Sequence, residues 1–299
     1  MHTPVLLTEA LAHLAPKEGG VYIDGTFGAG GYSRALLSAC LCHVLAFDRD
    51  PCVHPYVQAL TEQFGDRFRF YETRFSEIQE ILIREKITQV DGMVFDLGVS
   101  AMQIDVPDRG FSFQKNGLLD MRMGQCDLSA ADIVNTFDEK TLANILWMYG
   151  EESKSRAIAR KIVEARQKDP IQTTWALQKI VASVLKRKTV KDPAMRTFQA
   201  LRIFVNDEYD ELLKALACAE LCIKIGGCLA VVSFHSLEDR LVKNFLKGPE
   251  AKRDPIYGRY LSFYPPFKMH NKKPIVASSD EILSNPRARS AKLRVGIKQ

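Results

Sequence analysis

Two rhythms of apolar and polar positions share the first hundred residues. Short apolar runs of strand length, at Val21–Asp24, His43–Asp48, 68–71 and 92–96, are separated by stretches at 33–39, 58–64 and 77–85 whose spacing is helical. Strands and helices in regular succession predict a parallel, doubly wound α/β sheet. From about Asp105 to Asn206 the strand rhythm stops, and helical periodicity runs over 138–148, 155–167 and 174–186. The α/β pattern then resumes with a helix over 208–223, a turn at Gly226 and Gly227, a strand over 229–234 and a helix over 237–246. The expected organisation is an α/β core in two parts, 1–105 and 207–299, interrupted by an all-helical, substrate-recognising insertion at 106–206. After a Pro- and Lys-rich loop, 273–277 and 291–297 read as two strands that close the sheet as an antiparallel pair.

Composition narrows the class. The 299 residues are 46% apolar and 26% charged, as expected of a globular chain with a sizeable core, and 41 Lys and Arg against 36 Asp and Glu leave a net charge of +5. No apolar run approaches the roughly 20 residues of a membrane-spanning helix, and the first residues lack the basic and apolar regions of a secretion signal. A cytoplasmic location is the expectation. Seven cysteines, an odd number set mostly in core-like patterns, fit a reducing compartment, and Cys218 with Cys222 lacks the companions a zinc site requires, so no metal is expected.

The chemistry gathers at the strand ends. The first strand runs into Gly25-Thr26-Phe27-Gly28-Ala29-Gly30-Gly31 and then a helix, which lets backbone N–H groups approach a ligand. Asp48, ending the second strand, is placed to accept both hydroxyls of an adenosine ribose. A dinucleotide or S-adenosylmethionine would satisfy that pair, but the glycines do not follow the G-x-G-x-x-G spacing. Asp24, Asp48 and Asp96, at three strand ends, would line one crevice, whose charge suits a sulfonium better than a pyrophosphate. Asp96 opens Asp96-Leu97-Gly98-Val99-Ser100, where a carboxylate could bind the N–H of a poorly nucleophilic amine and relieve its charge, or could hold cofactor alone. Arg109 and Phe111 could contact phosphate and stack on a base, or simply pack. Lys186, Arg187, Lys188, Lys191, Arg196 and Arg202 form a basic stretch suited to phosphates. His235 is either a proton carrier or an anchor for the following helix, with Ser236 as its N-cap.

Ordered motifs carry a resemblance. His2-x-Pro4-Val5-Leu6-Leu7-x-Glu9, Asp24 to Gly31, Asp96 to Ser100, Arg109-Gly110-Phe111-Ser112-Phe113, Leu119-Asp120-Met121-Arg122-Met123, Tyr149-Gly150-Glu151-Glu152, Arg196 to Ile203 and Ser233 to Arg240 resemble the bacterial 16S ribosomal RNA cytosine-N4 methyltransferases, the RsmH or MraW family. The resemblance implies a class I, Rossmann-like methyltransferase with an inserted helical domain, S-adenosyl-L-methionine as donor, and a decoding-centre cytosine of 16S rRNA, within the 30S subunit, as acceptor. It puts cofactor contacts at Gly30, Gly31, Tyr32, Asp48, Phe75, Asp96 and Gln103. Tyr32 stands where the family usually has His, Ala101-Met102 replaces Ser-Pro, Asn116-Gly117-Leu118 replaces Asp-Gly-Pro, and Asp192 stands for His. The competing readings are a non-catalytic RNA-binding factor, which would not need intact Gly30, Gly31, Asp48 and Asp96, a nicotinamide dehydrogenase, and a DNA amino-methyltransferase, whose Pro-Pro motif is missing after Asp96.

Overall fold

A computed structural model describes residues 4–185, 192–248 and 265–299. The strands β1 (Val21–Asp24), β2 (His43–Asp48), β3 (Phe68–Glu72), β4 (Val90–Asp96), β5 (Ile223–Ser233), β6 (Phe267–Met269) and β7 (Lys292–Lys298) form one sheet in the order β3-β2-β1-β4-β5-β7-β6. The first five are parallel, and β7 runs antiparallel to both β5 and β6. The order reverses between β1 and β4, and such a switch point opens a crevice beyond the carboxyl ends of the strands. This is a Rossmann-like, doubly wound α/β architecture.

The chain folds as two compact units, Met1–Gly98 with Glu211–Gln299 and Val99–Asp210, limits several residues away from those read off the sequence. The sheet unit begins with α1 (Leu7–Leu14), α2 (Gly31–Ala39), α3 (His54–Phe64) and α4 (Ile78–Arg84). The inserted unit holds α5 (Ala101–Asp105), α6 (Ala130–Thr136), α7 (Glu139–Gly150), α8 (Ser155–Arg166), α9 (Thr174–Leu185) and α10 (Met195–Val205). The helix α11 (Glu208–Cys222) leads back into the sheet, followed by α12 (Ser236–Lys247) and α13 (Ser279–Ser284).

Strands buried on both faces need apolar side chains at consecutive positions, and Met93, Val94 and Phe95 of β4 are all buried, as are Leu229 to Val232 of β5. Pairing of β4 with β5 jumps from Val90 and Ile223 to Gly92 and Cys228, so the expected glycine turn is a bulge within β5, with Gly226 at φ +79°. The closing pair differs from expectation. Phe267–Met269, not 273–277, forms the strand beside β7, and Ile275 contributes only a single bridge to Leu293. The N-terminal stretch, to which the sequence reading assigned no element, forms α1, entered through Leu6 at φ 53°.

The inserted unit has its own core, in which Leu119 and Met121 join Ile133, Leu146, Ile158 and Leu201. Its helix starts are set by side-chain caps: Ser129 and Asp132 form a capping box on α6, and Asp138 accepts from the Thr141 N–H on α7. Asn206, fully buried, knits the unit together. Its amide donates to the carbonyls of Met121 at 2.7 Å and Arg202 at 2.9 Å, and its oxygen accepts from the Met123 N–H at 2.9 Å. Asn206→Ala removes the side-chain partner of the Met121 carbonyl and of the Met123 N–H, while the Arg202 carbonyl keeps the Asn206 backbone N–H, at about 1–3 kcal/mol for each group left unsatisfied. Urea denaturation should show a clear fall in midpoint; an unchanged midpoint would show that water replaces the amide.

Candidate active site

The crevice is built on the loop that follows β1. Gly25 N–H donates to the Val94 carbonyl of β4 and Phe27 N–H to the Phe47 carbonyl of β2, each at 2.9 Å, so the loop straddles both neighbours of its own strand. Asp24 holds it there. One carboxylate oxygen accepts from the Ser33 N–H at 3.0 Å and the Ser33 hydroxyl at 2.7 Å, the other from the Thr26 N–H at 3.3 Å. This corrects the reading of Asp24 as an acid facing the crevice: it is fully buried and turned onto the first turn of α2. Burial, eased by the hydrogen bonds from Ser33 and Thr26, raises its pKa to about 6.

The glycines are demanded by close approach. Gly30 sits at φ +74°, and a side chain there would meet the Phe27 ring at 2.8 Å; one at Gly31 would collide with Pro4. The first N–H groups of α2, which a helix leaves without intrahelical partners, begin at Gly31. Tyr32 turns away. Its buried hydroxyl donates to the Val5 carbonyl and so anchors the N-terminal segment, which leaves only its backbone for a ligand. A ring-nitrogen contact of the kind a His could make is absent from this chain.

Asp48 ends β2 with one oxygen accepting from Gly28 N–H at 2.8 Å and the other from Asp50 N–H at 2.9 Å. Each oxygen keeps a second lone pair. Burial pushes this carboxyl above the usual range, against the pull of those two N–H groups. Phe75, just past β3, packs edge-on against Phe95 with ring centroids 5.7 Å apart.

Asp96 ends β4, its N–H donating to the Thr26 hydroxyl at 2.6 Å. Its Oδ1 is buried with no hydrogen-bond partner. Burial above all, then the negative charges of Asp24 and Glu238, raise its pKa to about 8. A buried acceptor without a donor costs stability, and such a group is most readily explained by a ligand that completes it.

His235 lies beyond the end of β5, the strand whose Val232 pairs with Asp96. It, not Ser236, is the N-cap of α12: its Nδ1 accepts from the Glu238 N–H at 3.4 Å, while Glu238 Oε2 accepts from the N–H groups of Phe234 at 2.8 Å and His235 at 3.3 Å. With Nδ1 an acceptor, the neutral ring carries its proton on Nε2, which lies 3.1 Å from Glu238 Oε1. His235 thus takes the helix-anchoring role, the second of its two sequence readings, and its Nε2 is buried with no hydrogen-bond partner. Glu238, overlooked in the sequence, is legible as the acid three residues into the helix.

The remaining candidates lie in the inserted unit. Gln103 is buried and shares a capping box with Ser100 at the start of α5. The Arg109 guanidinium donates to the Arg122 carbonyl at 2.8 Å and sits 5.6 Å over the Phe111 ring, itself packed on the inserted core. Arg196 is exposed and donates to the Glu151 carbonyl at 3.1 Å. Arg202 is engaged with Glu208 through two bonds of 2.8 and 2.9 Å in a largely buried pair, which removes it from the phosphate-contacting set. Lys186, Arg187, Lys188 and Lys191 lie outside the described residues. Among the described residues no group of three or more His, Cys, Asp and Glu could hold a metal, and no helix is long and apolar enough to cross a membrane.

Residues 1–299 match the model of the MraW methylase family. The chain belongs to this family. Proteins named ribosomal RNA small subunit methyltransferase H are similar to it throughout: that of Afipia carboxidovorans is 51% identical, covering 98% of this chain and 89% of its own, and that of Paramagnetospirillum magneticum is 50% identical, covering 99% and 95%. A solved rRNA methylase from Streptococcus thermophilus aligns over 97% of this chain and 92% of its own with 10% identity and a TM-score of 0.43.

In this MraW methylase the titration of Asp96 sets a stability gradient. Its carboxyl binds a proton more tightly folded than unfolded, so between about pH 4 and pH 8 the folded state carries the extra proton, and stability is lost as pH rises. Asp96→Asn removes this loss. Without ligand, the variant should melt higher than the parent at pH 8.5, by about 2 °C or more, with the gap closing towards pH 4.5. A gap independent of pH would assign the proton to another group.

Proposed function

We propose that this chain uses S-adenosylmethionine to methylate the exocyclic N4 amine of a cytosine in the 16S ribosomal RNA of the small subunit, at the decoding centre, with the 30S particle as substrate. The observation that carries the reading is the unpartnered, buried oxygen of Asp96 at the switch point of a methylase-family sheet. The names of relatives about 50% identical support the choice of RNA.

The residues present fit a cationic adenosyl donor. Gly25, Gly30 and Gly31 of the loop leave no room for side chains, Asp48 keeps lone pairs for two ribose hydroxyls, and Asp96 Oδ1 lacks a donor. When bound, S-adenosylmethionine supplies an electrophilic methyl group on a positively charged sulfur. The backbone of Gly30, Gly31 and Tyr32 lies along it, Asp48 receives the ribose, Phe75 packs against the adenine, and Gln103 is a further contact on the strength of the family resemblance. A cytosine amine is a poor nucleophile because its lone pair is delocalised into the ring. Asp96 would accept its N–H, orient the lone pair for in-line attack and take the proton the amine loses on methylation, the electron pair of the donor's broken S–C bond leaving on sulfur. Arg109, Phe111, Arg196 and the basic residues Lys186, Arg187 and Lys188 receive the RNA.

Incubation with labelled S-adenosylmethionine and either 30S subunits or free 16S RNA, followed by mapping of the label, tests the reading. Label on a cytosine N4 of 16S RNA is expected; RNA binding without transfer would favour the non-catalytic factor. Asp48→Ala should weaken binding of S-adenosylmethionine about tenfold or more in calorimetry, since a bond to a charged acceptor contributes about 1.5–3 kcal/mol. Asp96→Asn should slow single-turnover methylation at saturating cofactor and RNA by about 10². A wild-type rate would leave Asp96 a binding residue only.

A further inference from the structure

We infer that Glu211 is a positioning residue for the adenine end of the cofactor, acting through Arg74 on Phe75; the inference rests on the cofactor reading above. Glu211 stands in the first turns of α11, its side chain only 4% exposed. Its Oε1 accepts from Arg74 Nη1 at 3.3 Å, and its Oε2 is buried with no hydrogen-bond partner. Arg74 begins the short connection between β3 and α4, and the next residue is Phe75.

That connection is fastened at both sides. Thr73 N–H donates to the Asp48 carbonyl at 3.0 Å, which ties it to the end of β2, and Glu77 N–H donates to the Arg74 carbonyl at 3.0 Å, which closes a single 3-10 turn around Phe75. A further tether is the Arg74 pair with Glu211. The edge-on packing of Phe75 on Phe95 is therefore held from its own connection and, through Arg74, from Glu211, a distant part of the chain.

The choice of residue needs a reason. A buried carboxylate is costly unless its oxygens are satisfied, and here one is not. Gln in this place would keep an acceptor for Arg74 without burying a charge, so packing alone does not account for Glu. A charged acceptor holds a guanidinium more tightly than a neutral one, and a ring half an ångström out of place loses contact with a flat ligand.

The test is a double-mutant cycle on the affinity for S-adenosylhomocysteine, measured by calorimetry in wild type, Glu211→Gln, Phe75→Leu and the double variant. If Glu211 acts through Phe75, Glu211→Gln weakens binding about fivefold or more with Phe75 present and less than twofold with Leu in its place. A merely structural Glu211 gives either no change or the same factor in both backgrounds, and either result overturns the inference. Arg74→Lys, which keeps the charge but loses the planar guanidinium, repeats the cycle should Glu211→Gln fail to fold, with the same expectation. In saturating RNA, Glu211→Gln should raise the KM for S-adenosylmethionine and leave kcat nearly unchanged. If wild type fails to bind S-adenosylhomocysteine, the cofactor reading falls, and this inference with it; binding by wild type with an additive cycle removes Glu211 alone.

Discussion

The carboxylate of Asp24 is the constraint on which the sheet unit depends. It is the last residue of β1, and its two oxygens gather the Thr26 N–H and both donors of Ser33, so strand, loop and helix start are fixed relative to one another by one buried side chain. The rest follows from that closure. The loop is short enough to cross onto both neighbouring strands, Thr26 is brought to the Asp96 N–H, and Gly30 and Gly31 are pressed against Phe27 and Pro4, where no side chain fits. A charge buried at this position is tolerable because donors surround it, and its cost appears as the raised proton affinity of Asp24 and of its neighbour Asp96.

Much of this was legible before any coordinates. Residues that end strands in a doubly wound sheet face its ligand crevice, and the positions of Asp48 and Asp96 follow from that rule alone. The direction of Asp24 does not. Whether an acid at a strand end faces a ligand or the next helix depends on a hydrogen-bonding residue nine positions later, and Ser33 looks like any helix-start serine. The same limit applied to His235 and Ser236, adjacent residues either of which can cap a helix; the choice was made by Glu238, whose carboxylate reaches two successive N–H groups.

Long-range pairs were the least legible. Arg202 reads as one more cation in a basic stretch until Glu208 is seen across the turn between α10 and α11, and Arg74 and Glu211 are 137 residues apart with no periodicity to connect them. The closing strand was hidden for a different reason. Phe267–Met269 is three residues long and follows two prolines, so local propensity spoke for loop, while 273–277 had the apolar character of a strand but meets β7 only through Ile275. Tertiary pairing with β7 outweighed both local signals.

The negative charges of Asp24 and Glu238, buried behind Asp96, bear on turnover. Mutual repulsion among these acids is relieved by a cation and left standing by a neutral guest, so the crevice distinguishes a methyl donor from its spent thioether by charge, although the two differ by a single carbon. With Asp96 as the proposed acceptor, discharge of the positive sulfur would also return it to its high proton affinity at the moment the methylated amine must lose a proton. Retention of spent donor, a common brake on enzymes of this chemistry, is thereby opposed by the same carboxylates that attract the fresh one.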